Sequence, residues 1–131
     1  MPELPEVEVS RQGLLPLLRG QRILGAVVRT PRLRHEIPLD LASRLTGLRL
    51  DGILRRGKYL LLDCESSARG GWIILHLGMS GSLRLVPPET PPRKHDHVDL
   101  VFGQSVLRLR DPRRFGAVLW HAGGDVESHP L

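Results

Sequence analysis

The residues best suited to covalent chemistry stand at the start of the chain, where Pro2, Glu3 and Glu6 fall within about one helical turn. Aminopeptidases remove an initiator methionine that precedes a small residue, so Pro2 is expected to become a free secondary amine. An α-amino group titrates at about 7.7–8.0 and is therefore partly unprotonated at neutral pH. Such an amine beside carboxyl groups suits iminium formation at a sugar or carbonyl carbon. The same stretch also makes an ordinary helix start, with Pro5 at the first helical position and Glu6 at the positive end of the dipole.

A second group of chemically useful side chains precedes an apolar segment. Arg55, Arg56 and Lys58 stand at its entry, and Gly57 allows the backbone to turn there. Cations at a strand entry are well placed to bind phosphates, and Lys58 is the strongest of the three candidates. The alternative is charge that only keeps a strand end solvated.

Two loops combine glycines with side chains that could enter a nucleic-acid duplex. In residues 76–81, His76 could donate to a phosphate, and Met79 could fill the space left by an extruded base or could simply pack in the core. Residues 111–116 set Phe115 among arginines, which is typical of a wedge inserted between base steps. The alternative is a Phe115 ring that packs beneath its own turn.

The sequence gives little support to a metal site. His95 and His97 alternate at strand spacing, which would place them on one face, but no third ligand is identified. Cys64 is the single cysteine, so these residues can form neither a disulfide framework nor a cysteine-rich zinc site. No metal is assigned.

Length and charge limit the classes of function. The 131 residues suit one domain, 1–131, and the net charge of +5 with a pI near 10.6 favours a polyanionic partner. No apolar run reaches the length of a membrane span, and the acidic start differs from a secretory signal. We expect a soluble, cytoplasmic protein with no membrane partner.

The first half of the chain predicts two helices and a strand. A helix is expected from Pro5 to about Arg19, kinked or tightened near Pro16. Residues 23–34 predict a β-strand that runs into a basic edge. A short helix is expected over residues 40–46, with Asp40 as a possible N-cap.

After Gly47 the sequence changes to short apolar runs separated by Gly, Ser and Pro clusters. This pattern of short apolar runs predicts a mainly β fold with two flanking helices, in which antiparallel strands form a sandwich or flattened barrel. The predicted strands are residues 48–54, 58–64, 72–77, 82–86, 97–102, 106–110 and 117–121.

Five segments, in order and spacing, resemble the N-terminal domain of bacterial formamidopyrimidine-DNA glycosylases. They are residues 2–8, 58–61, 76–81, 94–99 and 111–116. The resemblance implies a β-sandwich flanked by two helices. It also implies a DNA glycosylase and AP lyase that excises oxidised purines, such as 8-oxoguanine and formamidopyrimidines, from damaged double-stranded DNA.

The resemblance assigns catalytic roles at the start of the chain. The Pro2 amine attacks the anomeric carbon of the damaged nucleotide, and the resulting Schiff base resolves by β- and δ-elimination. Glu3 protonates the sugar ring oxygen and shuttles protons, and Glu6 positions groups around the same centre. Lys58, grouped with these catalytic residues, matches a phosphate-binding position.

The resemblance also assigns contacts to DNA. His76 matches a second phosphate-binding position, Met79 fills the void after base flipping, Arg113 faces the orphaned base, and Phe115 wedges the neighbouring step. Arg114 is expected to contact the backbone or to be structural. The basic end of the first predicted strand adds two more DNA-binding candidates, Arg32 and Arg34.

This sequence departs from the family pattern after the sandwich. Family members continue with a helix–two-turn–helix module and a four-cysteine zinc finger, which are expected to be absent here, so no cofactor is expected in this chain. We expect a monomer at the bacterial nucleoid that binds DNA weakly and in a salt-sensitive manner, with little or no turnover. The alternatives are a non-catalytic nucleic-acid-binding module and a tautomerase that uses an N-terminal proline as base.

Overall fold

The chain forms two antiparallel sheets and two helices. The structure, a computed structural model, describes residues 4–64, 70–78 and 80–122. The elements in chain order are α1 (Leu4–Leu18), β1 (Gly25–Val28), α2 (Leu41–Leu45), β2 (Leu50–Arg56), β3 (Tyr59–Cys64), β4 (Gly71–His76), β5 (Ser82–Val86), β6 (Asp96–Val101), β7 (Val106–Arg110) and β8 (Ala117–Ala122). One sheet has the strand order β1-β6-β7-β5 and the other β2-β3-β4-β8. The predicted mainly β sandwich with two helices is confirmed.

The core lies between the two sheets. Alternation along β3 turns Leu60 and Leu62 inward, and alternation along β7 does the same for Leu107 and Leu109. All four side chains are buried in one continuous apolar cluster. Leu61, which points to the opposite face of β3, belongs instead to a separate small cluster.

Helix α1 closes one side of this core. Val7, Leu14 and Leu18 are buried on one face, as expected for a helix that packs along a single stripe. Pro16 is accommodated inside the helix on its exposed side. The chain leaves α1 through Gly20, whose φ of 85° is the left-handed conformation that commonly ends a helix.

One prediction for the first half of the chain was wrong in extent, and another was confirmed in position only. The strand predicted over residues 23–34 is confined to Gly25–Val28, because Pro31 has no N–H to donate and the chain turns back, with the Ile37 N–H bound to the Pro31 carbonyl at 2.9 Å. Asp40 stands at the N-cap position of α2, as predicted, but its side chain makes no capping hydrogen bond. Its carboxylate instead accepts a hydrogen bond from Nε of Arg44 at 2.7 Å.

Some of the basic residues serve the fold. Arg29 donates to both carboxylate oxygens of Asp99, at 3.0 and 2.6 Å, and Arg108 donates to the same two oxygens at 3.0 and 3.1 Å. Burial alone would raise the pKa of Asp99, but the hydrogen bonds from the two arginines outweigh it and lower that pKa. Arg29 and Arg108 therefore compensate a buried carboxylate within the fold.

Candidate nucleic-acid interface

The predicted nucleophile lies just outside the described residues. Pro2 and Glu3 precede the described range, which begins at Leu4 with the first residue of α1. Glu6 is exposed in the first turn of this helix. Helix α1 therefore begins directly after the two predicted catalytic residues in the sequence.

Glu8 fastens α1 to the neighbouring sheet. Its carboxylate accepts hydrogen bonds from Arg11 at 3.0 and 2.6 Å, from Gln12 at 2.8 Å and from Arg55 of β2 at 3.0 Å. The hydrogen bonds from Arg11 are the main reason that the pKa of Glu8 falls to about 2. Sequence reasoning missed this role, because Arg55 is 47 positions away from Glu8.

The turn between β2 and β3 carries the predicted phosphate-binding lysine. Gly57 adopts a φ of 61°, and Arg55 donates to its carbonyl oxygen at 3.0 Å. Lys58 follows and is half-buried. Because Arg55 also binds Glu8, one guanidinium group connects the helix after the N-terminus with the turn that holds Lys58.

His76 lies at the end of β4 with one ring nitrogen already engaged. The Gly78 N–H donates to Nδ1 at 2.9 Å, so the neutral ring carries its proton on Nε2. Burial lowers the pKa of His76 below its ordinary value, and the positive charges of Arg34 and Lys58 lower it further. At neutral pH the ring is a neutral donor in a positively charged neighbourhood, which is suited to a phosphate oxygen.

The loops that follow β4 and β7 interlock through glycine. A Cβ added at Gly78, which has a φ of 62°, would lie 2.6 Å from the carbonyl carbon of Phe115 and 2.7 Å from the Gly116 nitrogen. A Cβ added at Gly116 would overlap the His76 carbonyl oxygen, so no side chain fits there. The two backbones touch directly, so residues 76–78 and 111–116 form one surface.

Asp111 holds the second loop together from inside. Its fully buried carboxylate accepts hydrogen bonds from the Gly116 N–H at 2.8 Å, the Arg114 N–H at 3.1 Å and the Ser80 hydroxyl at 3.1 Å. Arg114, at a φ of 56°, takes the left-handed conformation that this turn requires. The resemblance gave Arg114 a backbone or structural role, and its main chain has a structural one here.

Phe115 and Arg113 project from this loop. Phe115 is 44% exposed, and the Arg113 guanidinium carbon lies 5.2 Å from the centre of its ring. The ring is therefore not packed beneath the turn, which was the alternative to a wedge. Met79, the third predicted duplex-entering side chain, lies outside the described residues.

The two basic candidates after β1 differ in their surroundings. The Arg34 N–H donates to the Gly116 carbonyl at 3.1 Å, so this exposed residue lies against the Phe115 loop. Arg32 is also exposed but lies 3.8 Å from the carboxylate of Glu36, a weak surface pair. The structure brings Arg34, more closely than Arg32, into the surface formed by the other loops.

The histidine pair does not alternate along a strand as predicted. His95 precedes β6 and has a φ of 73°, which is uncommon for a residue with a side chain. Its carbonyl accepts the Asp111 N–H at 3.0 Å, and the His97 Nε2 lies 3.1 Å from the Asp111 carbonyl oxygen. Both histidines therefore support the base of the Phe115 loop, a role that sequence spacing did not indicate.

Neither a metal-binding cluster nor a membrane-spanning helix is found among the described residues. Within ranges 4–64, 70–78 and 80–122, no group of three or more His, Cys, Asp or Glu side chains is arranged to hold a metal ion. In the same ranges, no helix is long and apolar enough to cross a membrane.

Comparison with protein families gives one extended match. The family model described as formamidopyrimidine-DNA glycosylase N-terminal domain matches residues 1–118. A formamidopyrimidine-DNA glycosylase of Dechloromonas aromatica is 59% identical over 133 residues, an alignment that covers 100% of this chain and 48% of the relative. One of Acidithiobacillus ferrooxidans is 58% identical over 132 residues, covering 100% of this chain and 47% of the relative. The chain thus spans about half the length of the curated relatives it matches.

Solved structures give the same result. The complex of wild-type Lactococcus lactis Fpg (MutM) with an N7-benzyl-Fapy-dG containing DNA matches with a TM-score of 0.84 and 35% identity, covering 92% of this chain and 44% of that one. The complex of Lactococcus lactis Fpg with an abasic site containing DNA matches with the same TM-score, identity and coverage.

Proposed function

Because this chain belongs to the formamidopyrimidine-DNA glycosylase family, whose N-terminal domain it matches over residues 1–118, we propose that it is a catalytic domain for excision of oxidised purines from DNA. The proposed substrates are 8-oxoguanine and formamidopyrimidines in double-stranded DNA, and the proposed activities are glycosylase and AP lyase. We assign it to a monomeric enzyme of the bacterial cytoplasm, at the nucleoid.

The observation that carries this proposal is the interlocked pair of loops beside a cationic cluster. Phe115 is exposed with Arg113 stacked against it, while Arg34 and Lys58 surround the donor His76. An aromatic wedge next to a guanidinium group suits entry into a base stack, and the cations suit the phosphates on either side. A site for a small neutral substrate would require none of these features.

In the proposed mechanism, the Pro2 amine is the nucleophile. It attacks the anomeric carbon of the damaged nucleotide, the bond to the base breaks, and the base leaves with its electron pair and takes up a proton. Glu3 supplies a proton to the sugar ring oxygen, which opens the ring and gives an iminium ion on Pro2. Loss of a proton from the adjacent sugar carbon then expels the 3′ phosphate, and a second elimination expels the 5′ phosphate.

Residues further along the chain supply binding and orientation for these steps. Lys58 and the Nε2–H of His76 bind phosphate oxygens next to the flipped nucleotide, and Glu6 helps to position groups near the amine. Met79 fills the void left in the duplex, Arg113 faces the orphaned base, and Phe115 separates the next base step. The chemistry uses amines, carboxyl groups and cations, so we assign no cofactor to this chain.

The second candidate function is a non-catalytic nucleic-acid-binding module. It is favoured by the basic balance of the chain, whose net charge is +5. A surface that only binds nucleic acid would use the phosphate contacts and would need neither a free Pro2 amine nor Glu3. The two functions therefore differ in whether a covalent intermediate forms.

The deciding experiment is the intact mass of the chain after incubation with an 8-oxoguanine duplex and borohydride, which reduces an iminium ion to a stable amine. The undamaged duplex serves as the control. A chain without Met1 that carries a DNA adduct only with the damaged duplex supports catalysis. A chain without Met1 that binds the damaged duplex and forms no adduct supports the binding module.

A further inference from the structure

The contact between the loops after β4 and β7 contains two polar side chains to which neither the resemblance nor the mechanism assigns a role. We propose that Ser80 and Asp111 are positioning residues that join these loops into one rigid unit, so that Arg113 and Phe115 enter the duplex together. This inference rests on the proposed function and specifies how its wedge is held.

Asp111 is the centre of the unit. Its carboxylate is completely buried. It accepts hydrogen bonds from uncharged groups, namely the Ser80 hydroxyl and the backbone N–H groups of Arg114 and Gly116. A buried carboxylate is costly unless its oxygens are satisfied, so these three bonds must be kept while the loop functions. The turn that presents Phe115 is therefore fixed on both sides of this residue, at Arg114 and at Gly116.

Ser80 connects this turn to the other loop. Its hydroxyl donates to Oδ1 of Asp111 at 3.1 Å and accepts the Arg113 N–H at 3.2 Å. The Ser80 hydroxyl thus joins the loop after β4 to the backbone of Arg113, the residue proposed to face the orphaned base. Loss of this hydroxyl removes both bonds at once.

The glycines allow the backbones of the two loops to pack in direct contact. The backbone of Gly78 packs against the backbone of Phe115 and Gly116 at distances that exclude even a methyl group. Displacement of one loop must therefore move the other or break the contact. A wedge held in this way loses little freedom when it enters DNA, which is the usual advantage of a preorganised site.

The test measures binding of two oligonucleotides by the 131-residue chain. One is a duplex with a tetrahydrofuran abasic analogue and 2-aminopurine beside it, whose fluorescence rises when the wedge unstacks it. The other is the same abasic strand without its complement, which offers phosphates but no base stack to open. The variants are Ser80→Ala, Ser80→Thr, which keeps the hydroxyl, and the matched control Ser82→Ala at an exposed serine of β5.

Ser80→Ala is expected to weaken duplex binding about tenfold, equivalent to about 1.4 kcal/mol, and to reduce the fluorescence rise. Binding of the single strand should change less than twofold, and Ser80→Thr should restore the duplex signal. All variants are compared at a temperature where circular dichroism shows them fully folded. Asp111→Asn, which replaces an accepting oxygen by a donor, should show the same selective loss where it remains folded.

Unchanged duplex binding and fluorescence in folded Ser80→Ala would overturn the positioning role. Equal losses on duplex and single strand would also overturn it, because they indicate a general effect on the fold. If the unmutated chain binds the abasic duplex no better than an intact duplex, the proposed function fails and the inference fails with it. The first two results leave the proposed function standing.

Discussion

Gly78 and Gly57 provide a direct test of the contact between the two loops. Their φ angles are 62° and 61°, so alanine at either position incurs the same left-handed backbone cost of about 1–2 kcal/mol. Only at Gly78 does the new Cβ meet other atoms, the backbone of Phe115 and Gly116 at 2.6 and 2.7 Å. At Gly57 nothing lies within 4 Å.

The difference between the two variants isolates the steric contact. Overpacking against neighbours that cannot move aside costs about 1–3 kcal/mol. Gly57→Ala should therefore lower the free energy of unfolding by about 1–2 kcal/mol and Gly78→Ala by about 2–5 kcal/mol. For a domain of this size, each kcal/mol corresponds to about 3–5 °C in Tm.

The assay is urea unfolding of the two variants and of Gly103→Ala, where the φ is not left-handed and nothing lies within 4 Å. Gly103→Ala should stay within about 0.5 kcal/mol of the unmutated chain. If Gly78→Ala is no less stable than Gly57→Ala, the loops are not in backbone contact. That result would remove the structural basis for a single wedge.

Three further predictions concern titratable groups. The pKa of Glu8 is lowered to about 2, so the stabilising effect of its carboxylate is complete above its ordinary pKa and is lost as the pH falls towards 2. Between about pH 5 and 2.5, the urea midpoint should therefore decline less in Glu8→Gln than in the unmutated chain. An equal decline in the two proteins would contradict the contacts of Glu8 with Arg11 and Arg55. His76 should titrate in an NMR experiment below its ordinary pKa, with the neutral ring protonated on Nε2, and a raised midpoint would contradict its environment. Burial raises the pKa of the Cys64 thiol to about 12, so alkylation of this thiol at pH 8 should be no faster than unfolding of the protein. Rapid modification of the folded protein would refute the burial of Cys64.

The sandwich could be predicted because its strands have clear local signals. The runs 82–86 and 106–110 alternate or stay apolar between turn residues, and the structure places β5 and β7 at those bounds. The strand predicted over residues 23–34 was too long because the pattern was extended through Pro31. What ended the strand was the loss of a donor and a local turn, and neither changes the apolar composition of the segment.

The supporting parts of the site could not be predicted, because they depend on distant residues. Ser80 and Asp111 are 31 positions apart in the sequence, and Glu8 and Arg55 are 47 positions apart. No local sequence motif therefore predicts either pair. Arg29 falls in the basic edge predicted for residues 23–34, but its carboxylate partner Asp99 comes from a strand 70 positions later. The exposed residues with distinctive chemistry, Phe115 and Arg113, could be identified from sequence because their loop is short and continuous.

The most direct test of the central claim is to locate the DNA on the chain after borohydride reduction with an abasic-site duplex. Once Met1 is removed, the primary or secondary amines available are the Pro2 N-terminus and the two lysines, Lys58 and Lys94. Peptide fragmentation should place the sugar remnant on the Pro2 nitrogen, and a single trapping event needs no turnover. A remnant on Lys58 or Lys94, or none on a Met-free chain bound to the duplex, would contradict the assignment of Pro2 as the nucleophile.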